Sequence, residues 1–274
     1  MATLGSDSTS GGGASGPDAA RGGAVAGAGN STGASELRPG GTWRLLRPLD
    51  GYSSPCGGGL ATQIRAGRGL RLLDVPRRDP TAAGVRLRVR LLEDGYPCWL
   101  GAADLLAAAQ PAPAAPRRCW NRAGIEVQLP AVLRFALAAL QQPNRYLWGG
   151  SLGPDYDCSG LVQAAFAQTG IWLPRDACLQ ERFCQPVAVR IGHTGLLQPG
   201  DLIFFGSQRR CSHVGLHLGE GRYLHSSGRQ HGRDGIGIDD LHPRSSDPVA
   251  CHYRRQLRGA GRVMHSHDGS PLPP

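Results

Sequence analysis

Cys158, His213 and His225 are the side chains through which this chain could do covalent chemistry. Cys158 lies in Tyr146-Leu147-Trp148-Gly149-Gly150 and Asp155-Tyr156-Asp157-Cys158-Ser159-Gly160, a glycine-rich loop delivering a cysteine to the first turn of an amphipathic helix. Unpaired backbone N–H groups and the positive end of a helix favour thiolate over thiol. The thiolate is the form that attacks a carbonyl carbon. Such a nucleophile needs a base. His213 would take the thiol proton and later return it to the leaving amine, while His225 would hold the His213 ring in its productive tautomer and steady its charge. The first-turn amides of Cys158 and Ser159 would serve as oxyanion donors. Asp157 either caps the helix or binds a substrate ammonium, and the residues leave both open.

These groups must be brought together by strands. Residues 201–205 are short, apolar and preceded by Pro199-Gly200, and read as a strand; 213–218 and 222–227 read as two more. A three-residue hairpin loop at 219–221 sets Leu218 opposite Arg222 and Gly215 opposite His225. Val214, Leu216, Leu218 and Leu224 then share a buried face, and His213, Gly215, His217, Tyr223 and His225 share a polar one. His213 and His225 become diagonal neighbours roughly 7–8 Å apart at Cα. Slipping the register by one would bury the imidazoles and expose the leucines.

The remaining elements follow from periodicity. Leu161, Val162, Ala165 and Phe166 give the cysteine helix its buried side and Gly170 ends it. A second helix is expected over 131–140. Residues 84–91 alternate strictly, as a half-buried strand does, amid short β-like runs broken by Gly and Pro. The organisation expected is a disordered Gly/Ser/Ala-rich tail over 1–40, a small β-barrel over 41–108, and a stiff Pro/Ala linker over 109–119. An α+β domain over 120–264 and a frayed, solvated tail over 265–274 complete it.

In order along the chain stand Tyr-x-Trp-Gly-Gly at 146–150, Asp-Cys-Ser-Gly at 157–160, Leu-Pro-Arg-Asp at 173–176, Pro-Gly-Asp-Leu-Ile-Phe-Phe at 199–205, His-Val-Gly at 213–215 and the second His at 225. This set resembles the NlpC-type family of papain-like cysteine peptidases acting on cell-wall peptides, over roughly residues 120–264. Residues 225–239, 258–263 and Glu93-Asp94-Gly95-Tyr96-Pro97-Cys98-Trp99-Leu100 are most similar to cyanobacterial γ-D-glutamyl-L-diamino-acid endopeptidases. The resemblance implies an SH3-like barrel before a papain-like α+β domain, and cleavage between γ-linked D-Glu and meso-diaminopimelate or Lys. It also implies that a barrel tyrosine and the Asp before the nucleophile, here Tyr96 and Asp157, recognise the free amine of L-Ala. His217 departs from the aromatic residue often found there.

Composition narrows the alternatives. The net charge is +9 and all 30 basic residues are Arg, which excludes a Walker-type lysine loop and a Schiff-base lysine. The arginines are scattered and aromatics make up only 6% of residues, which argues against a nucleic-acid surface; carboxylate-rich muropeptides suit a basic cleft. The eight cysteines show no C-x-x-C and no framework spacing, as expected of small buried residues in a reducing compartment. No apolar run reads as membrane-spanning and no leader pattern opens the chain, so a cytoplasmic protein without a membrane partner is expected.

Blander readings stand beside these. Tyr146 and Trp148 pack the loop under the helix, or Tyr146 lends its hydroxyl to the site. Cys211, His213, His217 and His225 offer zinc-type ligands, but their spacing matches no zinc pattern and a metal would occupy the base. The expectation is a cofactor-free, metal-free cysteine endopeptidase for murein tri- or tetrapeptides with a free L-Ala, serving wall-peptide recycling. Its catalytic residues are Cys158, His213 and His225, and its substrate contacts Tyr96, Tyr146, Asp157 and Ser159. Two rivals remain, an exported hydrolase of intact wall and a muropeptide-binding protein indifferent to Cys158→Ala.

Overall fold

Residues 36–76, 79–116 and 118–272 are described by the computed structural model; the part of the expected tail over 1–35 lies outside them. The N-terminal β domain comprises β1 (Thr42–Leu45), β2 (Leu49–Tyr52), β3 (Leu60–Ile64), β4 (Gly69–Asp74), β5 (Arg86–Leu91), β6 (Pro97–Gly101), helix α1 (Ala102–Ala108) and β7 (Ala109–Pro111). Alternation organises it. In β5, Leu87, Val89 and Leu91 are buried while Arg88 is exposed. The antiparallel sheet runs β3-β2-β6-β5-β4-β1-β7, and Trp43, Leu45, Leu70, Leu72, Val89 and Leu100 are among the residues of its core.

Two boundaries differ from expectation. β7 falls within the presumed linker, yet it pairs with β1, Leu45 facing Ala109 and Trp43 facing Pro111. Its proline sits at the sheet edge, where a missing N–H costs no ladder bond. Leu37 is buried and the Gly40 N–H donates to the Leu72 carbonyl, so residues 36–40 pack onto the sheet.

The C-terminal domain contains α2 (Arg122–Leu140), α3 (Cys158–Ala167), α4 (Ala177–Phe183), β8 (Gln185–Val187), β9 (Leu202–Gly206), β10 (Cys211–Gly219), β11 (Arg222–Ser227), β12 (Gly235–Asp240), α5 (Pro248–Arg254) and β13 (Leu257–Arg262). Its sheet runs β12-β11-β10-β9-β13-β8. α2 begins nine residues before the expected 131, because Asn121 caps it by accepting the Gly124 N–H at 2.9 Å. Contrary to expectation, α2 is long and apolar enough to cross a bilayer. Here it buries Ile125, Leu129, Val132 and Ala136 in the core shared with α3 and the sheet.

The central hairpin keeps the expected register, Leu216 facing Leu224 and His217 facing Tyr223, until a bulge sets Gly219 opposite Arg222. The loop is therefore Glu220-Gly221, both at positive φ (54° and 74°), the signature of a type I′ turn. Both sheet faces are covered. Val214, Leu216 and Leu224 face the main core, while Tyr223, Phe205 and Ile203 join Val249 and Tyr253 of α5 in a second one. The face expected to be polar is thus enclosed, and the histidines on it are buried.

The C-terminal segment is likewise packed. His267 is buried, its N–H donates to the Trp172 carbonyl at 2.7 Å, and Phe183 lies against the His265 and His267 rings. The expectation of a solvated tail fails for His267, which these contacts bury, while His265 is exposed as expected.

Candidate active site

Cys158 is the first residue of α3. The preceding Asp157 fixes that start: Oδ1 accepts the Gly160 N–H at 2.7 Å and Oδ2 accepts the Gly149 N–H at 2.9 Å. The glycine loop lies directly on the first turn, since a Cβ on Gly160 would meet the Gly150 carbonyl oxygen at 2.0 Å. Arg175, 2% exposed, donates from Nη1 and Nη2 to the two Asp157 oxygens at 3.0 and 2.6 Å. Its Nε reaches Thr62 Oγ1 of the β domain at 3.0 Å. Asp157 is therefore engaged as cap and ion-pair partner while also lining the Cys158 cavity. The Ser159 hydroxyl is enclosed in the same network, 3.0 Å from Arg175 Nη1, leaving its N–H as the group facing the Cys158 sulfur.

Burial works against the pull toward thiolate expected from the helix terminus. Burial first, then the Asp157 charge, push the Cys158 thiol up to about 12, although the Val214 and Ser159 N–H groups pull the other way. His213 is held well below its ordinary value by burial, reinforced by His225. Both shifts oppose the charged forms. Desolvation of the charged forms outweighs the helix terminus here.

Beyond His213 the sheet builds a proton chain. His213 Nε2 lies 2.7 Å from His225 Nδ1, and His225 Nε2 lies 2.6 Å from Asp239 Oδ2. Burial works to raise Asp239, but the His225 hydrogen bond and the Arg233 guanidinium outweigh it and hold the carboxyl below its ordinary range. An ionised carboxylate only accepts, so His225 Nε2 carries the proton and its Nδ1 is bare. That bare nitrogen accepts from His213 Nε2–H, which leaves His213 Nδ1 as the basic nitrogen. The ring is held by Tyr253, stacked at 4.1 Å and 20°, whose hydroxyl is tied to Ser227 Oγ at 2.8 Å. The Val214 backbone N–H acts on the Cys158 sulfur to lower its pKa, and Val214 follows His213 in β10. An imidazole with a basic Nδ1 is the kind of group that takes a thiol proton as a carbonyl is attacked and returns it to a departing amine.

Asp239 and Arg233 were not assigned roles from sequence. β12 pairs with β11 so that His225 faces Gly237, placing Asp239 diagonal to His225 on one face. Arg233 crosses Gly237, where a Cβ would meet its Nη1 at 2.0 Å, and grips Asp239 at 3.0 and 2.9 Å. The alternation of 235–239 was the available signal, but the pairing partner of β12 was not readable. His217 faces elsewhere: its Nδ1 is 2.9 Å from the Gln198 carbonyl and its Nε2 accepts the Gly221 N–H. It is therefore separate from the Cys158 chemistry, and among the described residues no group of three or more His, Cys, Asp or Glu could hold a metal.

Cys158 opens into a cavity of about 420 Å³ lined on one wall by Ser53, Leu60, Ala61 and Tyr96 of the β domain. The other wall includes Tyr146, Trp148, Arg175, Asp176 and Arg210. Tyr96 and Tyr146 are half-buried and both phenols are pushed above their ordinary value, chiefly by burial, so each stays a neutral donor. Trp148 is 72% exposed, which makes it a rim residue rather than packing beneath the loop. Asp176 precedes α4 without making a side-chain cap; it is half-buried and its pKa is raised, first by burial.

Residues 143–255 match the NlpC/P60 family, and residues 51–105 match the bacterial dipeptidyl-peptidase Sh3 domain. The bifunctional muramidase/DL-endopeptidase CwlT of Bacillus subtilis is 40% identical over 137 residues, 48% of this chain and 36% of that protein. A probable endopeptidase of Mycobacterium tuberculosis is 42% identical over 97 residues, 35% of this chain and 23% of that protein. The matched region thus spans only 23% to 36% of these curated relatives. A solved NlpC/P60 family protein from Bacillus cereus is 20% identical, with a TM-score of 0.39, covering 85% of this chain and 66% of that one. This chain carries an NlpC/P60 family domain preceded by a bacterial SH3 domain.

Proposed function

We propose that this protein is a cysteine endopeptidase that hydrolyses the bond between γ-linked D-Glu and meso-diaminopimelate, or Lys, in murein peptides whose L-Ala amine is free. The observation that carries the reading is the unpaired carboxylate of Asp176. It is half-buried in the Cys158 cavity and has no hydrogen bond or ion-pair partner among the described residues. A half-buried carboxylate that no hydrogen-bond donor contacts is costly, and an ammonium entering the cavity would relieve that cost. Tyr96, a neutral phenol on the SH3 wall of the same cavity, adds a hydrogen-bonding group for the peptide terminus. The Bacillus subtilis relative is named a DL-endopeptidase, and the proposed bond joins a D residue to an L centre.

In the reaction, His213 Nδ1 accepts the thiol proton as sulfur attacks the γ-carbonyl of D-Glu. First-turn N–H groups of α3 steady the oxyanion. The proton then passes to the departing diamino-acid nitrogen, leaving a thioester that water opens by the same route. A demand for a free L-Ala suits peptides already released from the glycan, so the role proposed is wall-peptide recycling in the cytoplasm. The test is cleavage of L-Ala-γ-D-Glu-diaminopimelate against the same peptide N-acylated with muramic acid, for wild type and Asp176→Asn. The reading expects strong preference for the free peptide and its loss in Asp176→Asn. Equal cleavage of both by wild type would instead favour a hydrolase of intact wall.

A further inference from the structure

The cavity beside Cys158 carries a second charged group, the solvent-exposed Arg210 at its rim. Arg175 and Arg210 both line it, but they differ in availability. Arg175 is held by Asp157, Ser159 and Thr62. The Arg210 guanidinium has no hydrogen bond and no ion-pair partner among the described residues, while acting electrostatically on Asp176.

Arg210 also has a fixed base. It ends a tight turn in which its N–H reaches Ser207 Oγ and the Ser207 carbonyl at 3.2 and 3.3 Å, directly before the Gly206–Cys211 pair of β9 and β10. A Cβ at Gly206 would meet the Arg210 carbonyl at 2.3 Å, so only glycine lets the turn close this tightly. Arg258 fastens the turn from outside, bonding both the Ser207 carbonyl and Glu181.

We infer that Arg210 binds the free α-carboxylate of the γ-linked D-Glu and so selects the γ-glutamyl linkage; this rests on the peptidase reading above. A γ-linked glutamyl residue differs from an ordinary one in keeping its α-carboxylate as a charge near the scissile carbonyl. In L-Ala-γ-D-Glu, that carboxylate is separated from the L-Ala ammonium by a single peptide unit. The cavity offers the matching pair, an available carboxylate and an available guanidinium close enough to interact yet not in contact. Guanidinium forks suit carboxylates in two-point contact. An ammonium would meet the half-buried Asp176 and a carboxylate the exposed Arg210 at the cavity rim, leaving the γ-methylenes to run toward Cys158.

The experiment uses two peptides, L-Ala-γ-D-Glu-diaminopimelate and its D-isoglutamine analogue, in which the α-carboxylate is a carboxamide. Wild type is expected to favour the acid in kcat/KM by about tenfold or more. Arg210→Gln should lower kcat/KM for the acid alone, mainly through KM, and with Asp176 still repelling the carboxylate the acid becomes the poorer substrate. Arg210→Lys should restore part of the preference. Binding of the dipeptide L-Ala-γ-D-Glu and its isoglutamine form to Cys158→Ala reads the same preference without catalysis. Equal use of both peptides by wild type, or an equal fall for both in Arg210→Gln, overturns the assignment and leaves the peptidase reading standing. Cleavage of neither peptide strikes at the peptidase reading itself. In that case, equal binding of the two dipeptides by Cys158→Ala overturns the Arg210 assignment separately.

Discussion

Asp239 Oδ2 lies 2.6 Å from His225 Nε2, and this contact decides which nitrogen of His213 is basic two rings away. An acceptor-only carboxylate fixes the His225 tautomer, and His225 fixes that of His213. Asp239→Asn can offer an N–H instead, which would reverse both tautomers and put a proton on the nitrogen that must accept one. The expected result is a kcat lower by about a hundredfold or more with KM little changed. Steady-state kinetics checks it, and an unchanged kcat would show that the carboxylate does not set the tautomer.

Asp157 and Asp176 are separated by their engagement. Asp157 holds a buried ion pair with Arg175, with side chains 9% and 2% exposed, so Asp157→Ala should cost about 3–5 kcal/mol on top of a lost cap. Asp176→Asn should leave the denaturation midpoint nearly unchanged and raise KM for the free-amine peptide. Chemical denaturation of the two variants, run beside their kinetics, distinguishes the roles.

Tyr253 should matter through its ring rather than its hydroxyl. Tyr253→Phe keeps the face stacked on His213 and loses only the bond to Ser227, so kcat should stay within about threefold of wild type. Tyr253→Ala frees the imidazole and should lower kcat by far more. A matching fall in both variants would assign the effect to the hydroxyl.

The pH dependence has a definite sign. Burial lowers His213 and His225, so the folded state favours the neutral rings. Their contribution to stability is present above the unfolded value of about 6.5 and is lost as pH falls below it. Activity fails in the same direction, because protonated His213 cannot accept the thiol proton. A profile of kcat/KM should be flat from about pH 6.5 upward and fall on an acid limb below it. An alkaline rise with midpoint near neutrality would show that thiolate, not thiol, is the reacting resting form.

Much of this was readable from sequence, for identifiable reasons. The apolar alternation of β10 and β11 set the register that joins His213 and His225 at 2.7 Å, and the glycine loop before Cys158 marked the start of α3. What escaped depended on contacts between distant segments. Asp239 acquires its partner through the β11–β12 pairing, Tyr253 through the docking of α5 on the sheet, and the Arg175 clasp through Thr62, 113 residues away. Helix-terminus reasoning is local, whereas the desolvation that raises Cys158 is a property of the packed domain and has no signal in the chain. The Glu220-Gly221 turn was missed by one residue, since positive φ at a glutamate has no signal in the chain.

The most direct test of the central claim is mass analysis of L-Ala-γ-D-Glu-diaminopimelate after incubation with wild type and with Cys158→Ala. The account predicts the dipeptide L-Ala-D-Glu and free diaminopimelate from wild type, and intact peptide from the variant. Intact peptide from wild type, or the same products from Cys158→Ala, would contradict it.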